Sequence, residues 1–82
     1  MLNIDYKKNF LKFILKIKNE KVKEQIKKQV EKIIENPEIG KPMRHSRKGS
    51  RELYVAPYRL AYSYDKAADT LVFLDIYHKD QQ

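Results

Sequence analysis

Residues 58–77 read YRLAYSYDKAADTLVFLDIY, and they carry the clearest structural pattern in the chain. Over 58–64, tyrosine or leucine alternates with arginine, alanine and serine, which is typical of a strand with one buried face. Residues 65–70 are polar and predict a turn. Residues 71–77 are apolar apart from Asp75, which predicts a strand in the interior of a sheet. The short link between the two strands indicates an antiparallel hairpin.

A third strand is predicted immediately before this hairpin. Leu53 and Val55 alternate with Glu52 and Tyr54, and Pro57 ends the run. Because the links between the three strands are short, they should form an antiparallel meander.

The first 36 residues show helical periodicity instead. Asp5 is the predicted N-cap of a first helix, Asn19-Glu20 interrupts the pattern, and Asn36-Pro37 ends a second helix. The short break predicts an α-hairpin. Met1–Ile4 is a candidate short N-terminal strand. The two apolar stripes consist of Tyr6, Phe10, Phe13, Ile14 and Ile17, and of Val22, Ile26, Val30, Ile33 and Ile34.

These elements predict an α+β fold. An α-hairpin cannot bury its apolar stripes alone, so we expect it to pack on one face of the small antiparallel sheet. The other face would then be open. The 82 residues are enough for one domain, which we expect to span 1–82.

Composition narrows the cellular setting. There is no cysteine, hence no disulfide and no thiolate metal site, as expected in a reducing cytoplasm. No apolar run approaches the roughly 20 residues of a membrane-spanning helix. Lysines interrupt the first 17 residues, which argues against a signal peptide. We therefore expect a cytoplasmic protein with no membrane partner.

Positive charge is concentrated in one segment. The net charge is +7, and residues 41–51 contain five basic residues and no acidic one. Such a segment attracts phosphate backbones and acidic partners, although it also serves solubility. The candidate RNA-binding residues are Lys41, Arg44, His45, Arg47 and Lys48.

Arg59 is the most informative charged residue outside this segment. Because an unpaired charge in a core is costly, Arg59 should face the open side or form a salt bridge with Glu52 or Asp75. Hairpin geometry places it opposite residues 76–78, near His78. Histidine and arginine together provide what metal-free phosphodiester cleavage needs. Strict alternation, however, places His78 with Val72, Leu74 and Ile76, which form the expected core set.

Other chemistries have little support in the sequence. His45 and His78 have no partner at metal-ligand spacing, so we predict no metal site and no cofactor. With only two glycines, neither a P-loop nor a dinucleotide-binding motif is present.

The order of several short motifs resembles the RelE/ParE superfamily of toxins from toxin–antitoxin modules. These motifs are Gly40-Lys41-Pro42, the basic segment, residues 58–62 (YRLAY) and Tyr77-His78-Lys79. The resemblance implies a RelE-like fold. It also implies a ribosome-dependent endoribonuclease that cleaves mRNA through attack by the 2′-hydroxyl.

The resemblance also implies roles for individual residues. Arg59 matches the strand arginine that stabilises the transition state, and His78 matches the terminal histidine of the YoeB-like branch, a candidate general acid. Lys79 matches a position that is often arginine in RelE-like toxins. Arg51 lies near the strand of their catalytic lysines, and Tyr54 is a weaker candidate on that strand.

Two departures keep alternatives open. Met43 stands where the YoeB-like branch has a glutamate base, and the chain ends at Gln82 without the tail tyrosine of RelE-like toxins. A ParE-like toxin that inhibits a topoisomerase without nuclease chemistry is one alternative. A catalytically weak RNA-binding homologue is the other.

The implied partners follow from the same resemblance. They are an acidic, RelB-like antitoxin that wraps the toxin, mRNA and the ribosome. Operator DNA would be contacted only through the antitoxin complex.

Overall fold

A computed structural model describes residues 1–42 and 49–81. Two helices pack on a five-stranded mixed sheet with strand order β1-β5-β4-β3-β2. The strands are β1 (Asn3–Tyr6), β2 (Lys41–Pro42), β3 (Ser50–Val55), β4 (Tyr58–Asp65) and β5 (Thr70–His78). The helices are α1 (Lys8–Lys16) and α2 (Glu20–Glu35), and a 3₁₀ turn covers Lys79–Gln81. The predicted α+β fold is confirmed.

The predicted meander is present as β3, β4 and β5. Both pairings are antiparallel. Arg59 lies opposite Tyr77, within the range 76–78 predicted from the hairpin, and Tyr58 lies opposite His78. The loop between β3 and β4 contains a cis peptide bond at Ala56–Pro57. The cationic segment begins as a strand, because Lys41 and Pro42 pair with β3.

Two predictions about the N-terminal residues were wrong. The first strand covers Asn3–Tyr6 rather than Met1–Ile4, and it runs parallel to β5, which makes the sheet mixed. Asp5 is not the N-cap of α1, because it lies within β1 and Lys7 occupies the cap position. The Tyr6 ring stacks on Phe73 of β5 with centroids 5.2 Å apart, so Tyr6 belongs to the sheet and not to the helical stripe.

The second helix forms as the sequence predicts. The Asn19 side chain accepts hydrogen bonds from the backbone N–H groups of Lys21 and Val22 at 3.0 and 3.2 Å, which caps the N-terminus of α2. Ile26 and Ile33 of the apolar stripe are buried. The helix ends before Pro37, where the preceding Asn36 is already non-helical.

The core lies between the helices and one face of the sheet. Its buried residues are Phe10, Ile26, Ile33, Val55, Leu60, Tyr62, Leu71, Phe73 and Ile76. The expected core set of β5 was wrong at Val72 and Leu74, which are only partly buried. A register shift explains this, because Ala61 pairs with Asp75 but Tyr62 pairs with Phe73. Leu74 is the extra residue of a β-bulge, so the buried parity changes along the strand.

Tyr62 ties the end of α2 to the sheet. Its buried hydroxyl donates to the carbonyl of Pro37 at 2.9 Å and accepts from the N–H of Gly40 at 2.8 Å. A Cβ at Gly40 would lie 2.5 Å from that hydroxyl, so only glycine fits there. Two motif residues of the sequence, Gly40 and Tyr62, are therefore joined directly. In the described part of the chain, neither helix is long and apolar enough to cross a membrane.

Candidate functional site

The candidate site lies on the sheet face that the helices leave open. Arg59 stands at its centre, between Tyr54 of β3 and Tyr77 of β5, which are its direct cross-strand neighbours. The next cross-strand row places Lys41 beside Glu52. Cross-strand neighbours share a face of the sheet, so these side chains form one group.

An ion pair dominates the geometry of this group. Arg59 Nη1 donates to Glu52 Oε1 at 2.7 Å. The hydroxyl of Tyr77 donates to the other carboxylate oxygen, Oε2, at 3.3 Å. The side chains of Arg59 and Glu52 are 35% and 18% exposed, so the pair is partly shielded from water. Of the two salt-bridge partners that the sequence offered for Arg59, Glu52 is confirmed.

A shallow depression adjoins the ion pair at the β2 edge. It has a volume of about 310 Å³ and is lined by Ile39, Lys41, Glu52, Leu53, Tyr54 and Arg59. The Tyr54 side of this depression is open, since that residue is 54% exposed. A guanidinium, an ammonium and an exposed aromatic ring at one place suit a nucleotide, because cations contact phosphate and a ring stacks on a base.

His78 is not part of this group. It follows the alternation of β5 onto the helix-facing side, where its ring meets the Tyr58 ring edge-to-face at 5.8 Å. Tyr58 in turn contacts Phe13 of α1. The Nδ1 of His78 accepts a hydrogen bond from the backbone N–H of Asp80 at 3.2 Å. The bulge at Leu74 lies too early in the strand to turn His78 to the open face. Arg59 and His78 thus share one end of the sheet but lie on opposite faces.

Lys79 and Arg51 also lie apart from Arg59. Lys79 is exposed and begins the 3₁₀ turn, with its N–H bonded to the carbonyl of Pro57 at 3.1 Å. Arg51 faces the helix side, and its Nη1 donates to the carbonyls of Glu38 and Gly40 at 3.0 and 2.7 Å. Arg51 therefore supports the segment that follows α2.

The remaining predicted RNA-binding residues, Arg44, His45, Arg47 and Lys48, lie outside the described residues, as does Met43. Lys41 and Tyr54 are the two members of that set that the structure places, and both line the depression beside Arg59.

Two tyrosines on the helix-facing side of β4 have perturbed pKa values. Burial raises the pKa of Tyr62 above its usual value of 10.0, and the Gly40 hydrogen bond and the nearby Arg51 charge partly oppose that rise. The pKa of Tyr64 is also raised, by desolvation and by the carboxylate of Asp69, which accepts a hydrogen bond from the Tyr64 hydroxyl at 3.2 Å. Both hydroxyls therefore stay protonated at neutral pH.

Sequence reasoning missed the contribution of Tyr77. Strict alternation from Ile76 already places Tyr77 on the open face, opposite Arg59, but nothing in the sequence indicated that its hydroxyl would bond the carboxylate of Glu52. Within residues 1–42 and 49–81, no three His, Asp or Glu side chains converge in a way that could hold a metal ion.

Comparisons with solved structures identify the fold. The isolated Escherichia coli RelE toxin superposes with a TM-score of 0.79 at 19% identity, covering 100% of this chain and 88% of that one. YafQ from E. coli strain BL21(DE3) gives 0.75 at 22% identity, covering 98% and 96%. The RelBE2 toxin–antitoxin complex from Mycobacterium tuberculosis gives 0.76 at 20% identity, covering 95% and 98%. The fold is RelE-like.

The family follows from the sequence itself. The family model for the ParE toxin of the type II toxin–antitoxin system parDE matches residues 4–82. The chain belongs to this family, within the RelE/ParE toxin superfamily, and is a type II toxin. Among curated proteins, none matches closely enough to be assigned as a relative.

Proposed function

We propose that this toxin is a ribosome-dependent endoribonuclease that binds mRNA on the open face of its sheet. The observation that supports this proposal is Arg59, held between Tyr54 and Tyr77 and beside Lys41 on a face that the helices leave free. A guanidinium at that place can neutralise the charge that develops on a phosphodiester. The 2′-hydroxyl of RNA acts as the nucleophile, so the protein needs no nucleophile of its own.

Within this proposal the described residues take separate roles. Arg59 contacts the phosphate under attack, Lys41 contacts a neighbouring phosphate, and Tyr54 stacks on a base. His78 and Lys79 do not contact that phosphate in this proposal. His78 faces the helices, and Lys79 lies beyond the end of β5.

A ParE-like inhibitor of a topoisomerase is the second candidate. Two observations favour it. Glu52 already neutralises Arg59 at 2.7 Å, and the histidine of the expected catalytic set lies on the opposite face. Such a toxin acts by binding a protein and performs no chemistry on RNA.

Expression in cells without antitoxin separates the two candidates. Under the proposal, growth stops, translation falls before DNA damage responses appear, and Arg59→Ala restores growth. Lys66→Ala is the matched control, since it removes one exposed cation from the β4–β5 turn and should leave toxicity unchanged. An early DNA damage response with intact mRNA would instead identify the topoisomerase inhibitor.

We further propose that an acidic, RelB-like antitoxin restrains the toxin in the cytoplasm. Several structural neighbours are toxin–antitoxin complexes, including RelBE from E. coli and RelB–RelE from Methanococcus jannaschii. In this chain, an apolar groove of about 380 Å³ runs between α1 and α2, with Leu11 on its α1 side and Lys23 and Lys27 on its α2 side. An amphipathic helix with acidic flanks complements that groove in both polarity and charge.

A further inference from the structure

Glu52 already binds the guanidinium of Arg59, which is the group that an RNA phosphodiester would need. Its Oε1 lies 2.7 Å from Arg59 Nη1, and its Oε2 accepts from the Tyr77 hydroxyl at 3.3 Å. The planar guanidinium binds carboxylate and phosphate through the same N–H groups, so the two anions compete for it. A nucleic acid that approaches Arg59 must therefore displace an anion that is already bound.

Partial burial makes this competition effective. Fully exposed ion pairs contribute little because water and salt screen them. The Glu52 side chain is only 18% exposed, and that of Arg59 is 35% exposed, so the pair is less screened. The carboxylate is on the neighbouring strand β3, so its binding to Arg59 is intramolecular. It does not lose the translational and rotational entropy that a separate ligand loses on binding.

The present arrangement leaves Arg59 incompletely satisfied. Among the described residues, its Nε is buried without a hydrogen-bond partner. Both carboxylate oxygens of Glu52 are already in use, one by Arg59 and one by Tyr77. A buried donor without a partner is unfavourable, so the ion pair with Glu52 leaves the guanidinium incompletely satisfied. Release of Arg59 from Glu52 lets the guanidinium reorient toward the acceptor oxygens of a ligand.

We propose that Glu52 acts as a gate: its carboxylate competes with an RNA phosphodiester for Arg59 and keeps the affinity of the free toxin for RNA low. This inference rests on the proposed function, because it takes RNA as the ligand of the open face. It assigns Glu52 a role in binding, and it predicts that removing the charge of Glu52 while keeping its shape makes RNA bind more tightly.

Binding of a 2′-O-methyl oligoribonucleotide tests the gate, since this probe cannot be cleaved through a 2′-hydroxyl. Glu52→Gln should bind it about tenfold more tightly than wild type, equivalent to the loss of one competing charge-assisted hydrogen bond. The control is Glu24→Gln on α2, which makes the same change in net charge at an exposed position on the helix side of the sheet. It should leave binding nearly unchanged.

A double variant shows whether the effect passes through Arg59. In the Arg59→Ala background, Glu52→Gln should no longer tighten binding, because there is no guanidinium to release. Circular dichroism melting identifies any unfolded variant. Glu52→Ala carries the same expectation and replaces Glu52→Gln if the latter does not fold.

The gate is overturned if Glu52→Gln binds no more tightly than Glu24→Gln, or if the gain persists without Arg59. Failure of the proposed function is a different result. It consists of wild-type toxin that leaves translated mRNA intact, whereas the gain in binding is measured without any cleavage.

Discussion

At the residue scale, the buried hydroxyl of Tyr62 joins β4 to the segment that follows α2. It links the centre of β4 to the carbonyl of Pro37 and the N–H of Gly40, and Arg51 secures the same segment through two carbonyls. Tyr62 thereby fixes the start of the cationic segment relative to the sheet. The YRLAY motif thus combines an open-face arginine with a buried structural tyrosine.

Tyr62→Phe should destabilise the protein by about 1–3 kcal/mol, because it leaves a buried N–H and a carbonyl without their partner. Urea unfolding followed by circular dichroism measures this change. Tyr64→Phe is the matched control, since it removes a partly buried hydroxyl with one partner at 3.2 Å and should cost less. Equal losses of unfolding free energy in the two variants would show that the buried bonds of Tyr62 stabilise the fold no more than the single bond of Tyr64.

The same hydroxyl gives a pH dependence. The pKa of Tyr62 is raised in the folded state by burial, so the protonated form is favoured there. Its stabilising contribution is complete below the ordinary value of 10.0 and is lost as pH rises through the raised pKa. Unfolding free energies measured between pH 8 and 11 should fall more steeply for wild type than for Tyr62→Phe. Parallel curves would contradict this assignment.

The sequence predicted some residue contacts and not others, for physical reasons. Glu52 was one of two salt-bridge partners predicted for Arg59, together with Asp75, because a half-buried charge needs a counter-charge, and the structure selects Glu52. The bond between Gly40 and Tyr62 was not predicted. It joins residues 22 positions apart through an irregular segment, where no periodicity fixes the register.

At the element scale, the bulge in β5 changes which residues of that strand face the core, compared with the prediction. Alternation over 71–77 is ambiguous because nearly every residue is apolar, and a single extra residue at Leu74 exchanges the two faces. The strand itself and its antiparallel pairing with β4 were predictable. The face of His78 follows from its alternation with Ile76. The burial of Leu71 and Phe73 in place of Val72 and Leu74 depends on the bulge, which no turn or glycine signal marks.

The groove between α1 and α2 gives an element-scale prediction. Leu11→Ser should weaken neutralisation by the antitoxin roughly tenfold or more while leaving toxicity intact, because Leu11 lines the groove and is 47% exposed, far from Arg59. Titration of the antitoxin against toxin in a translation assay measures this. Leu15→Ser on the same helix is the control, since Leu15 is 85% exposed and outside the groove lining.

Unchanged neutralisation of Leu11→Ser, or an equal loss in both variants, would place the antitoxin elsewhere. Loss of toxicity in Leu11→Ser would mean that the helix surface takes part in the toxic activity itself.

At the scale of the whole molecule, the architecture was predictable because helical and strand periodicities occupy separate halves of the chain. A hairpin of two amphipathic helices and a meander of three strands have few ways to bury their apolar faces together. The parallel pairing of β1 was not predictable, since four residues carry little pattern and their partner is almost 70 positions away. The candidate site lies where these elements leave the sheet uncovered.

The uncovered face of the sheet carries acidic as well as basic side chains. Arg59 and Lys41 are accompanied on this face by Glu52 and Asp75, so the charges of these four residues balance. Affinity for RNA should therefore depend on how the Arg59–Glu52 pair responds to a ligand, and net charge alone does not determine it.

Primer extension on an mRNA undergoing translation tests the central claim most directly. Ribosomes in a purified translation system are supplied with wild-type toxin, with Arg59→Ala or with the control Lys66→Ala. The proposal predicts cuts at defined codon positions with wild type and Lys66→Ala, and their loss with Arg59→Ala. Intact mRNA in the presence of folded wild-type toxin, or cuts that remain unchanged in Arg59→Ala, would contradict it.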